Sequence, residues 1–318
     1  MADTNLHKFL LITMPVVGVV GFVGNFIVCV TICCTRTLHN VTNLTLLNLA
    51  IADLLVSTLV PLNLLYTVTN DVETNDLQCG ADITFQYSTA WVFLFFLNSS
   101  TSHSVLCLTL VCFEQFIGIS RPLKYPTYFT RRKITAMLIT VWSTPLIAYL
   151  PRTILMTKLC HKDICLCLTQ EPLYSAVETL MLLLLPTAAI IWMYFRIILT
   201  LKRGARNLEV QGIQGPAREL HHARRKVTGI LIVLITAFLI FVIPGAVWYL
   251  VSTLFYPVFS GDVETNIWHS LALLSLLNSS INPVLYAFKY DVLRKAFKAM
   301  VCRCYGWRSS LNQIGPLI

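Results

Sequence analysis

The chain has 318 residues, of which 56% are hydrophobic and 12% charged, with a formal net charge of +9 and a mean hydropathy of +0.70. A water-soluble domain carries about 25% charged residues, so the composition excludes an ordinary soluble fold and points to the bilayer. The cations sit at the ends of apolar segments rather than in one patch, which makes them an orientation signal and excludes a nucleic-acid partner.

Taken in order, the sequence predicts an all-α membrane protein, a seven-transmembrane helix bundle with a short amphipathic eighth helix. Seven apolar segments of spanning length are expected at about 9–34, 44–66, 85–119, 134–155, 174–201, 227–254 and 267–288. Residues 1–8 read as a short extracellular N-terminus, 9–288 as the bundle, and 289–318 as an amphipathic helix with a cytoplasmic tail. Lys8 precedes the first apolar run without a small-residue cleavage site, so that run reads as a retained helix. Basic residues gather on one side: Arg36 in the first loop, Arg121 to Lys133 in the second, Arg196 to Lys226 around the third, and Lys289 to Arg308 in the tail. Only Lys8, Arg152, Lys158 and Lys162 fall on the other, which places the N-terminus outside a plasma-membrane protein.

The outer loops are acidic. Asp71-Val72-Glu73-Thr74-Asn75 recurs as Asp262-Val263-Glu264-Thr265-Asn266, read either as a solvated rim or as a field that attracts a cationic ligand. Cys79, Cys160, Cys165 and Cys167 fall in outer loops, where disulfides form, and three pairings stay open. Cys29, Cys33, Cys34, Cys107 and Cys112 read as buried or helix-end thiols. Cys302 and Cys304 follow the amphipathic segment and are either palmitoylated on the inner leaflet or free.

Polar residues inside the apolar segments ask for partners. Asp53 lies mid-way along the second, Asn25 in the first, Ser100 and Ser104 in the third, and Asn278, Ser279, Ser280 and Asn282 in the seventh, just before Pro283. Asp53, Ser104, Asn278, Ser279 and Asn282 form either a hydrogen-bonded knot or a sodium site. No other cofactor is expected. No nucleophile–base pair or phosphate loop appears, so the chain is not read as an enzyme, and His103 reads as a packed histidine. A transporter fits poorly, because there is no inverted repeat and deep ionisable residues are few.

These residues in this order resemble the rhodopsin-like (class A) G protein-coupled receptors along almost the whole chain. The resemblance rests on Asn25, Asn48 to Asp53 (NLAIAD), Trp142, Pro186 with Tyr194, Phe238 with Pro244, and Asn282-Pro283 with Tyr286. Leu293 to Phe297 looks like the family's short eighth helix. The resemblance implies an outer cavity for an agonist, an inner mouth for a heterotrimeric G protein, and contact with membrane lipids. Its activation switches would be Glu114, Gln115, Tyr194, Arg224, Phe238, Pro244, Pro283 and Tyr286. Glu114-Gln115-Phe116 stands where the family has Asp/Glu-Arg-Tyr, and Val242 where it has a tryptophan. A bridge of reversed polarity between Glu114 and Arg224 is therefore expected to close the inner mouth. A disulfide from Cys79 to Cys167 or Cys165 is implied.

Leu97 replaces the aspartate of amine receptors and Leu276 the lysine of opsins, so both ligand classes are disfavoured. Trp91, Phe95, Trp248, Tyr249, Trp268 and His269 are candidate aromatic lining. Glu178, about 12 Å up its helix from Pro186, is the candidate carboxylate facing a basic neuropeptide. A receptor-like protein that binds ligand without efficient coupling is the alternative.

Overall fold

A computed structural model describes residues 4–69, 81–162, 172–210, 215, 229, 232–255, 261–289 and 291–304. Helix α1 spans Thr4–Cys34, α2 Val41–Thr69, α3 Ala81–Ser120 and α4 Arg131–Lys162. Helix α5 comprises Pro172–Thr179 and Leu185–Val210, joined by a π turn at Leu180–Leu184. Helix α6 is Ile232–Leu254, α7 Gly261–Lys289 and α8 Asp291–Cys304. Among the described residues there is no strand, as expected where no water is present to satisfy an open sheet edge.

Among the described residues seven helices are long and apolar enough to cross a membrane. The apolar window sets their existence and not their ends: α1 reaches back to Thr4 and α5 runs on to Val210, because good helix formers in the flanks continue the ladder into polar surroundings. The end of the bundle where α1 begins is called the N-side below.

Helix α3 packs against α2, α4 and α5, while α1 lies against α2 and α7 and also touches α8. The main core joins Val28, Leu46, Val111, Ile190, Phe238, Val242 and Tyr286, and α8 inserts Leu293 and Ala296 into it. The opposite face of α1 exposes Phe9, Ile12, Val16, Val19, Val23 and Phe26, a lipid-facing stripe at helical spacing. Glycine sets how closely α1 approaches α7. A Cβ on Gly24 would stand 2.9 Å from Pro283 Cβ and Cγ, and one on Gly21 2.5 Å from the Ser57 and Ser280 hydroxyl oxygens.

Prolines decide where side chains must help the backbone. A proline inside a helix has no N–H for the carbonyl four residues earlier, and in hydrocarbon that carbonyl needs another donor. Pro283 frees the Ser279 carbonyl, and Asn25 Nδ2 on α1 donates to it at 2.9 Å. Pro145 frees the Val141 carbonyl, which meets His103 Nδ1 from α3 at 3.1 Å. In α6 the turn at Val242 precedes Pro244, and the chain resumes with Val242 N–H to Phe238 and Ala246 N–H to Val242.

Candidate functional site

Among the described residues four polar clusters lie inside the bundle, each joining at least two helices. The middle one is centred on Asp53, which has no exposed surface. Asn282 Nδ2 donates to Asp53 Oδ2 at 2.7 Å and Ser104 Oγ to Asp53 Oδ1 at 3.2 Å, and the Ser279 hydroxyl is a further partner. Helices α2, α3 and α7 thus converge on one carboxylate, and α1 joins through Asn25 and Ser279. The Ser280 hydroxyl bonds the Val17 carbonyl at 3.0 Å, closing the α1–α7 seam. Asn278 is buried in the same turn of α7. The Asp53 carboxylate and the Ser104 and Ser279 hydroxyls are hard oxygen donors of the kind a sodium ion takes, whereas Asn282 presents its amide nitrogen to Asp53.

A second network ties α2, α3 and α4. Trp142 Nε1 donates to Asn48 Oδ1 at 2.9 Å, and the His103 ring lies over the Trp142 ring at 3.8 Å between centroids. With its Nδ1–H directed at the Val141 carbonyl, His103 offers Nε2 as an acceptor, and the Cys107 thiol lies 3.3 Å from it. The histidine is more than packing, since it covers a carbonyl that α4 cannot satisfy itself.

At the side opposite the N-side, Glu114 is 3% exposed. Thr42 Oγ1 and the Tyr125 hydroxyl both donate to its Oε1, at 2.7 and 2.8 Å. Its Oε2 is buried with no partner among the described residues. The described partners of Glu114 are therefore α2 and the loop after α3, while Arg224, the expected partner, lies outside the described residues. Gln115 is half-buried. Tyr286, Phe238 and Val242 are buried in the core with Tyr194 packed against it, and Pro244 is exposed.

The N-side cluster departs most from expectation. Arg152, expected only as one of four outer cations, is 7% exposed on α4, and its Nη1 pairs with Glu178 Oε2 at 3.1 Å. The same Nη1 donates to the Tyr249 hydroxyl at 2.6 Å, and the Tyr249 ring meets Trp268 edge-to-face at 5.7 Å. Helices α4, α5, α6 and α7 are thereby linked in sequence. Glu178 is accordingly neutralised from within the protein rather than left to face a cationic ligand. Phe95, Trp248 and His269 are half-buried, and Phe95 stacks edge-on with Phe96 at 5.1 Å. The side chains of Trp91, Asp262, Cys302 and Cys304 lie outside the described residues, as do Cys79, Cys165 and Cys167. Of the thiols read together earlier, Cys107 and Cys112 are buried, while Cys33 and Cys34 are exposed.

A family model described as 7 transmembrane receptor (rhodopsin family) matches residues 24–286. The chain belongs to that family. It is a G protein-coupled receptor and a multi-pass protein of the plasma membrane, not an enzyme. It is 26% identical to the human Alpha-1A adrenergic receptor over 345 residues, covering 95% of this chain and 71% of that protein. It is 29% identical to the rat Somatostatin receptor type 4 over 299 residues, covering 91% of this chain and 71% of that protein. Within this receptor the Asp53 knot, the Glu114 cluster and the Arg152 junction occupy the middle and the two ends of one bundle.

Proposed function

We propose that this receptor binds an extracellular peptide at the N-side and transmits that binding to a heterotrimeric G protein at the opposite side, with its N-terminus outside the cell. The observation that carries the reading is the Arg152–Glu178–Tyr249–Trp268 chain, which puts polar and aromatic groups of four helices at one end of the bundle. Relatives named for adrenergic and somatostatin binding both match. The choice between them leans on Leu97, which leaves α3 without the carboxylate that amine receptors of the family use. A sodium ion on Asp53, Ser104 and Ser279 belongs to the same proposal, as an element that movement of α7 would dismantle.

Gln115 supports a second reading, in which coupling is weak. It stands where the family carries an arginine for the G protein, and a neutral amide supplies no charge there. A G-protein activation panel on cells expressing the chain, challenged with a short-peptide library and run beside Gln115→Arg, separates the two. A response in the parent establishes a signalling peptide receptor. A response only in the variant establishes weak coupling, and silence in both sinks the peptide reading.

A further inference from the structure

We propose that the Arg152–Glu178–Tyr249 junction recognises an uncharged amide of the ligand, with Glu178 Oε1 accepting its N–H and the Tyr249 hydroxyl donating to its carbonyl. The inference rests on the reading of the N-side as the ligand-binding end.

Charge comes first. Arg152 and Glu178 are 7% and 5% exposed and lie 3.1 Å apart, so the pair presents no net charge. An ammonium group brought to Glu178 also meets the Arg152 guanidinium, and a carboxylate brought to Arg152 also meets Glu178. At low dielectric either repulsion is large, so the site discriminates against both ions.

The remaining hydrogen-bonding capacity then selects the ligand group. Glu178 Oε1 is buried and has no partner among the described residues, and a buried acceptor left unpaired is costly. The Tyr249 hydroxyl already accepts from Arg152 at 2.6 Å, which leaves its own proton to donate elsewhere. Both groups flank the same Arg152 nitrogen, so one acceptor and one donor stand side by side. An amide offers the complementary pair within a single planar unit and without charge. Ser175, three residues before Glu178 and on the same helix face, adds a buried hydroxyl without a partner among the described residues. Trp268, edge-on to Tyr249, offers an apolar wall to whatever side chain precedes the amide.

Three matched probes test this: 3-phenylpropanamide, 3-phenylpropanoate and phenethylamine, which are a neutral amide, an anion and a cation on one aromatic body. The full receptor in nanodiscs is heated with a thiol-reactive dye, the buried Cys107 and Cys112 reporting unfolding. The amide is expected to raise the midpoint by about 2–4 °C at tenfold excess over its Kd, with no shift from the other two. Tyr249→Phe should abolish that shift, and Arg152→Gln should transfer it to phenethylamine by exposing the Glu178 charge. A wild-type response to the cation or anion equal to that of the amide, no response to the amide, or an undiminished amide shift in Tyr249→Phe each overturns the proposal. G-protein activation, measured in parallel, keeps the two readings apart. Amide binding without activation by any peptide defeats the signalling reading alone, and activation only by ligands whose essential group is cationic defeats this one alone.

Discussion

Removing Asn25 tests whether α1 completes the backbone of α7. Asn25→Ala deletes the donor to the Ser279 carbonyl, whose own helical partner is missing because residue 283 is proline. Leaving a buried acceptor unsatisfied costs about 1–3 kcal/mol, while hydrogen bonds between membrane helices average only about 0.6 and reach about 1.7. The upper part of the membrane range applies, since Pro283 takes away the donor this carbonyl would ordinarily have in a helix. Asn25→Ala also opens a cavity at a fully buried position, so the single mutant overstates the bond. A double-mutant cycle removes that error. In a Pro283→Ala background the backbone N–H restored at position 283 reaches the Ser279 carbonyl, the cavity remains, and the loss on removing Asn25 should shrink by about 1–1.5 kcal/mol. Unfolding in mixed micelles, read by dye access to the buried thiols, supplies the four free energies. Additivity within about 0.3–0.5 kcal/mol would refute the claim that Asn25 serves the carbonyl Pro283 abandons.

Gly24→Ala should destabilise the receptor by about 1–3 kcal/mol in the same assay, because its Cβ meets the rigid Pro283 ring at 2.9 Å. Gly118→Ala, whose Cβ finds only ordinary contact with the Tyr125 ring at 3.6 Å, should be neutral or slightly stabilising. Burial, and after it the Glu114 carboxylate, hold the Tyr125 phenol well above its ordinary value of 10.0. The folded protein therefore keeps that proton after the unfolded chain has lost it. Its contribution is complete below about pH 10 and fades as pH climbs toward the raised value, so Tyr125→Phe should flatten the alkaline fall in stability; an unchanged fall would exclude the bond.

The sequence makes the bundle legible because lipid leaves few options: a run of about 20 apolar residues must be helical. The middle cluster is legible for the same reason, as Asp53 and Asn282 each need a polar neighbour and meet at 2.7 Å. Arg152 was hidden by its place near the outer end of the fourth apolar segment, where a cation counts toward orientation and asks for no partner. Helix α4 instead continues through Pro151 to Lys162 and carries Arg152 inward, and Glu178 consequently looked unpaired. His103 left a usable signal: Pro145 announces an unsatisfied carbonyl at Val141, and a histidine on a neighbouring apolar helix is a suitable donor. Glu114 left none, because nothing in its own segment marks Thr42, a helix away, as a partner.

The π turn at Leu180–Leu184 carries a spare residue. A π turn holds one residue more than the α turn it replaces, so trimming a single leucine there would let α5 relax to regular winding with Pro172–Thr179 facing much as before, whereas removing a second would swing that segment by about 100°. Glu178 would keep Arg152 after the first deletion and leave it after the second, while every residue beyond Leu185 stayed in register. The spare residue in that short leucine stretch is thus a buffer, through which such a chain can lose one residue without parting Glu178 from Arg152.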